Sequence, residues 1–428
     1  MASKSNLSVV IDIGTSKIIA LAGARNENGK LEVLGTSRVL SKGIKRGVIF
    51  NIDEVAVCIN EVVAKLESLL QEEIQQVNVA YAGQYMKTFD YQNSRKTSKE
   101  GIVSKADIEF LYSEAKKVEM EEDFKIIQVI PTFYKVDGES TDLKPVGIPG
   151  QEITANYKLI IVPKIYLTNL QRVFDKTNVE LLDVTPSSLA VSEAVITEEE
   201  RELGAIVFDI GAGTTNLAIF QDNMLIHTSV IPFGGSVITK DIKEGCSIVL
   251  KLAERMKVRY GEALGDFADD QKMITIPVRQ GYEPKEISFK SLAYIIQARL
   301  DEIMDIVNFE IEKAEILNEF DVRVILTGGT SNLNNIKSLV KFRTGKDARK
   351  GNLALQLKGE SKKLQDTDNL TALGLLNLIT DKSLIPSNKR GKKVAIKNGK
   401  SSLSNIVGKV VQGVLDMVDD DNVDSAMN

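Results

Sequence analysis

The chain has 428 residues, 43% apolar and 26% charged, with 54 Lys and Arg against 59 Asp and Glu for a formal net charge of −5. That is ordinary soluble-protein composition, long enough for about three structural units whose cores need no disulfide or metal, and it argues against a nucleic-acid partner. Two distant cysteines, Cys58 and Cys246, and a single histidine, His227, exclude a zinc cluster and Ser-His-Asp or Cys-His catalysis. All three are expected to be packing or surface residues, and free cysteines point to a reducing compartment.

An apolar run begins at Val9, but Asp12 and Lys17 interrupt it, which argues against a signal peptide. No apolar stretch approaches the roughly 20 residues of a membrane span. Val9-Val10-Ile11-Asp12-Ile13-Gly14-Thr15-Ser16-Lys17 leads into Ile18-Ile19-Ala20-Leu21. The pattern returns as Ile206-Val207-Phe208-Asp209-Ile210-Gly211-Ala212-Gly213-Thr214-Thr215, leading into Asn216-Leu217-Ala218-Ile219. Each copy reads as a tight β-hairpin with Asp at the end of its first strand, so the chain is expected to contain two copies of one α/β unit. Glycine permits close backbone approach and converging N–H groups, which suit an anion. Gly14, Thr15, Ser16, Gly211, Gly213, Thr214 and Thr215 are therefore candidate phosphate contacts, with Lys17 adding a point charge for a β/γ-phosphate. Asp12 and Asp209 are candidates to organise a hydrated Mg²⁺, which takes few protein ligands and keeps several waters.

Between Ile231 and Ser236 the pair Gly234-Gly235 forms a comparable turn, followed by a helix through Leu252–Lys257. Glu254 and Lys257 share one face of it and are read either as ribose contacts or as a surface ion pair. Val322–Leu326 reads as a buried strand, Gly328-Gly329 as a turn that lets a flat base or ribose approach, and Asn332 as the start of a helix. The acidic run Glu198-Glu199-Glu200 is expected to be solvated.

The charge is unevenly placed. Residues 381–400 carry a net +6, residues 401–428 a net −4, and the first 380 residues −7. Leu403, Ile406, Val407, Val410, Val411, Val414, Leu415 and Val418 recur at three- and four-residue steps, one apolar face of a helix. Gly408 and Gly413 each weaken that helix by about 1 kcal/mol, so it is expected to order only on docking. An anionic membrane surface is the expected dock, helped by the Lys/Arg linker at about 1 kcal/mol per basic residue; the other reading is a helix packed on protein. With no aromatic and one lysine, its binding is expected to depend on multivalency.

In these residues the chain resembles the actin/Hsp70/sugar-kinase superfamily. Asp12-Ile13-Gly14-Thr15 is similar to its first phosphate motif, Asp209–Thr214 to the second, and Leu326-Thr327-Gly328-Gly329 to the adenosine motif. Thr185-Pro186-Ser187-Ser188-Leu189-Ala190 and Thr371-Ala372-Leu373-Gly374-Leu375 resemble the connecting helices at the hinge. Ala80–Tyr85, Gly101-Ile102-Val103, Ala106-Asp107-Ile108 and Leu252–Gly261 look more closely like the FtsA family of bacterial cell-division proteins. The resemblance implies an α/β, actin-like fold: two duplicated RNase H-like halves around a nucleotide cleft, an inserted small α+β subdomain and a C-terminal amphipathic helix. The implied division is a first-half core (1–83 and 162–194) interrupted by the insert (84–161). A second-half core (195–227 and 306–380) follows, interrupted by a smaller subdomain (228–305). Last come a basic linker (381–402), the helix (403–418) and an acidic tail (419–428). It further implies ATP with Mg²⁺, slow or absent hydrolysis, homopolymers, and tethering of FtsZ to the cytoplasmic side of the inner membrane at the division site. The FtsZ C-terminal peptide would dock on residues 228–305, with other division proteins as further partners. A pilus-assembly-type ATP-binding adaptor and a small-molecule kinase of the same superfamily are the alternatives.

Overall fold

The computed structural model describes residues 7–381 apart from 99, 122, 142–143, 277–283, 315–321 and 358–366. The apolar run at Val9 forms the strand Ser8–Ile13, antiparallel to Lys17–Arg25, which pairs in turn with Leu31–Leu40. On its other side Ser8–Ile13 runs parallel to Gln76–Tyr81, and that strand to Glu180–Pro186. Val10, Ile11, Ile18 and Ile19 are all fully buried. Helices cover both faces of this sheet, which is why its central strands read as continuous apolar runs rather than alternating ones.

The second half repeats the plan. Ala205–Ile210, Thr215–Gln221 and Met224–Ile231 form an antiparallel run, while Ala205–Ile210 lies parallel to Arg323–Thr327 and that strand to Ala348–Lys350. Strand order and directions match those of the first sheet one for one, so the duplication legible in two hairpins extends to whole sheets.

Helix Ile52–Leu70, opened by the Asn51 side chain, buries Val55, Ile59, Val62 and Leu66 against the first sheet. Helices Gly235–Gly245, Leu250–Tyr260, Phe289–Lys313 and Ile336–Thr344 share one core with Ile206 and Phe208 of the second. Two connecting helices cross between the halves. Ser187–Val195 packs on second-half strands, and Leu370–Thr380 packs on first-half strands. They touch so closely that an added Cβ on Gly374 would lie 1.7 Å from the Ala190 carbonyl oxygen.

The insert is a four-stranded sheet in the order Lys87–Lys96, Glu152–Pro163, Phe124–Val136, Glu139–Thr141, covered by helix Lys105–Ala115. A Ser104–Asp107 capping box opens that helix. Its root residues Met86, Ile160 and Val162 pack against Val207 and Ala218 of the second half. His227 reinforces this seam, with Nε2 2.9 Å from Glu310 and Nδ1 3.4 Å from Thr88. Cys58 and Cys246 are both buried and free.

Two sequence expectations change. The residues Gly329–Asn332 form a 3₁₀ turn, and the helix opens at Ile336 rather than Asn332. Glu200 is not a solvated member of an acidic run: Arg349 grips it from Nε at 2.6 Å and Nη2 at 2.5 Å, and it closes a capping box with Thr197. The linker, the amphipathic helix 403–418 and the acidic tail lie outside the described residues. No helix among the described residues is long and apolar enough to cross a membrane.

Candidate functional site

Both hairpin turns face one cavity of about 380 Å³ between the halves. In the first turn Gly14 N donates to Lys17 O at 3.1 Å, and in the second Gly211 N donates to Thr214 O at 2.9 Å. These equivalent bonds present each Asp at the end of its strand. The tips meet across the cleft, since a Cβ on Gly213 would fall 2.3 Å from Thr15 Oγ1. Gly47 braces the contact by donating its N–H to Thr15 Oγ1 at 3.0 Å, leaving that hydroxyl free to donate elsewhere. With φ +73 and the Ala82 carbonyl 1.8 Å from any added Cβ, position 47 admits only glycine.

The two carboxylates sit in different surroundings. Asp209 is buried, accepting from Asn216 Nδ2 at 2.9 Å and Thr327 Oγ1 at 3.1 Å. Burial raises its pKa above the usual carboxylate range, and these two bonds pull it back. Asp12 is pushed up to about 7 by burial and then by the Asp209 charge, with Lys17 opposing. Lys17 is held by an ion pair to Asp368, a second-half residue, and Arg38 stands 3.9 Å from the other Asp368 oxygen. Among the described residues no cluster of three or more His, Cys, Asp or Glu exists that could hold a metal by itself.

On the second-half wall, Lys257 is 8% exposed. It gives its three protons to Gly235 O at 2.8 Å, Thr239 Oγ1 at 2.9 Å and Glu254 Oε2 at 2.8 Å. The expected ion pair exists within one helix, but its lysine is buried and ties that helix to Gly235–Gly245 through Gly235 O and Thr239 Oγ1, while Glu254 remains half exposed and lines the cavity. Gly328, at φ +80, packs so near Asp209 that a Cβ would meet its Oδ1 at 2.7 Å, whereas Gly329 has open space beside it.

The structure brings Asp12, Gly14, Thr15, Ser16, Lys17, Asp209, Gly211, Gly213, Thr214, Gly235, Glu254, Lys257, Gly328, Gly329 and Asn332 to this cavity. Two candidates are elsewhere. Thr215 is fully buried and donates to Phe233 O at 2.9 Å. In a strand successive side chains point to opposite faces, and Asn216, the next strand residue, faces Asp209 and the cleft, which turns Thr215 away from it. Gly234 backs the second turn, where a Cβ would strike Gly211 O at 2.6 Å. Sequence reasoning passed over Gly47, Ser187, Asn216 and Asp368 as site residues. Hairpin register had the signal for Asn216, the partner of Asp209, but nothing local marks Asp368.

The profile of the family described as Cell division protein FtsA matches residues 206–374, and that of the SHS2 domain inserted in FTSA matches 83–161. A Cell division protein FtsA from Neisseria meningitidis serogroup B is 32% identical over 372 residues, 86% of this chain and 89% of the relative. One from Borreliella burgdorferi is 30% identical over 376 residues, 87% and 90% of the two chains. One from Escherichia coli K12 is 28% identical over 383 residues, 88% and 91%. Among solved structures, the PilM-PilN type IV pilus biogenesis complex is similar at TM-score 0.61 and 16% identity, covering 87% of this chain and 98% of that one. MreB5 of Spiroplasma citri bound to ADP gives 0.51 and 13%, covering 87% and 96%. These structural likenesses are ones of fold, and the fold is actin-like.

Proposed function

Because the chain belongs to the FtsA family of cell division proteins, we propose that it is an ATP-binding, polymerising adaptor that tethers FtsZ filaments to the cytoplasmic face of the inner membrane at the division site. The observation that carries the nucleotide reading is the convergence of two copies of one Asp-Gly hairpin, one from each half, on a single cleft. Turn N–H groups and the hydroxyls of Thr15, Ser16 and Thr214 take phosphate oxygens, Lys17 supplies the charge, and the open space at Gly329 receives the adenosine. Glu254 takes a ribose hydroxyl.

Two carboxylates with no third protein ligand among the described residues fit a Mg²⁺ that keeps its waters and do not fit a metal caged by side chains. Asp12 and Asp209 hold those waters, and the cation, when bound, neutralises phosphate charge. In the related fold of MreB5, structures are described with ADP and with AMPPNP, which supports the same use here. Nucleotide sets the relation between the halves, and through it the polymer state, with slow or absent turnover.

Residues 228–305 dock the FtsZ C-terminal peptide, further copies of the chain extend the polymer, and other division proteins join it. The apolar face from Leu403 to Val418 anchors the assembly, aided by the +6 of residues 381–400. Removing residues 401–428 is expected to abolish co-sedimentation with anionic phosphatidylglycerol vesicles. A truncated chain that still pellets with them overturns the membrane arm.

A further inference from the structure

The matched topology allows the two halves to be laid over each other residue by residue, and around the paired aspartates they differ. On the neighbouring antiparallel strand Asp12 faces Ile19, and Asp209 faces Asn216. On the neighbouring parallel strand Asp12 faces Ala80, and Asp209 faces Thr327. So where the first half has two apolar neighbours, the second has two donors. Both are used: Asn216 Nδ2 donates to Asp209 Oδ2 at 2.9 Å and Thr327 Oγ1 donates to Oδ1 at 3.1 Å. The Asp12 carboxylate receives no such bond among the described residues.

The clamp is buried. Asn216 is 4% exposed and Thr327 fully enclosed, so neither donor is traded for water. A carboxylate only accepts, which fixes the Asn216 amide with its nitrogen toward Asp209. Its Oδ1 is then left buried without a partner, a destabilising arrangement that the charge-assisted bond offsets. One bond to each carboxylate oxygen locks the Asp209 group against rotation, while each oxygen keeps a lone pair for the cleft. Asn216 itself lines the cavity beside Gly213 and Thr214.

We infer that Asn216, acting through Asp209, is a positioning residue for the hydrated divalent cation, so that the second half presents a preset carboxylate and the first half an unclamped one. This rests on the nucleotide reading above. A cation held through water depends on the orientation of groups behind its shell, and loss of such a partner commonly weakens metal affinity 10- to 100-fold, roughly.

The test uses the full-length chain and isothermal titration with ATP across a Mg²⁺ series, with a parallel arm in excess EDTA. Asn216→Leu keeps the branching of the side chain and removes the donor; Thr327→Val does the same for the second bond. Each variant is expected to need roughly tenfold more Mg²⁺ for half-maximal ATP binding, and Thr327→Val, whose side chain is fully enclosed behind Asp209, is expected to keep its affinity in EDTA. A merely structural role would weaken both arms together, and that result, or an unchanged Mg²⁺ requirement, overturns the inference. If Asn216→Leu fails to melt cooperatively, Thr327→Val, which alters shape least, carries the decision. A wild-type chain that binds no ATP in either arm refutes the nucleotide reading as well, whereas normal wild-type binding with unshifted variants refutes only the positioning role.

Discussion

Lys17, the cation proposed to meet phosphate in the cleft, is already engaged by Asp368 from the opposite half. A triphosphate reaching Lys17 must displace that carboxylate or share the ammonium with it. The side chains are 28% and 23% exposed. At an effective dielectric of about 20, two unit charges about 4 Å apart attract by roughly 4 kcal/mol, but solvent access and the cost of ordering both side chains reduce the net to about 1 kcal/mol. Arg38, 3.9 Å away with a 71% exposed side chain, adds little. Asp368→Asn removes that competition and one carboxylate that repels phosphate, effects of the same sign. MgATP should therefore bind about fivefold more tightly to Asp368→Asn by isothermal titration. In a Lys17→Ala background the gain should shrink, because the displaced partner is gone. Weaker binding by Asp368→Asn refutes the competition and makes Asp368 a ligand for the nucleotide complex instead.

Gly374→Ala drives a methyl into the Ala190 carbonyl where the connecting helices cross; a loss of about 3 kcal/mol and a melting temperature lower by roughly 5 °C are expected, and an unshifted melt contradicts the close crossing. Asp12, with its folded pKa raised from 3.8 to about 7, binds its proton more tightly folded than unfolded. The nucleotide-free protein should thus lose stability as pH rises between those values, and Asp12→Asn should not share that part of the loss. Parallel pH–stability curves for the two proteins would show that the carboxyl is not perturbed.

The sequence carried the duplicated hairpins because their information is local: an apolar strand, an Asp and a glycine turn lie within ten residues of each other. Register follows from the turn, and it made the Asp209–Asn216 pair legible in principle. Motif spacing alone does not reveal where Thr215 points, because it ignores the alternation of strand faces, which sends its hydroxyl to Phe233 O. Lys257 looked like a surface or ligand-binding cation; only the packing of helix Leu250–Tyr260 against Gly235–Gly245 reveals three internal acceptors that consume its protons. Asp368 lies far from Lys17 in sequence, and the ion pair exists only because helix Leu370–Thr380 returns from the second half to the first sheet. Long-range charge pairing of this kind leaves no periodicity to read.

The proposed function requires a nucleotide-loaded polymer that bridges lipid and FtsZ. Electron microscopy of the full-length chain with MgATP on an anionic lipid monolayer, with and without an FtsZ C-terminal peptide, examines all of these at once. Filaments lying on the lipid that bind gold-labelled peptide are the expected result. Dispersed particles that leave the lipid bare and the peptide unbound, from protein that titrates normally with ATP, would contradict it.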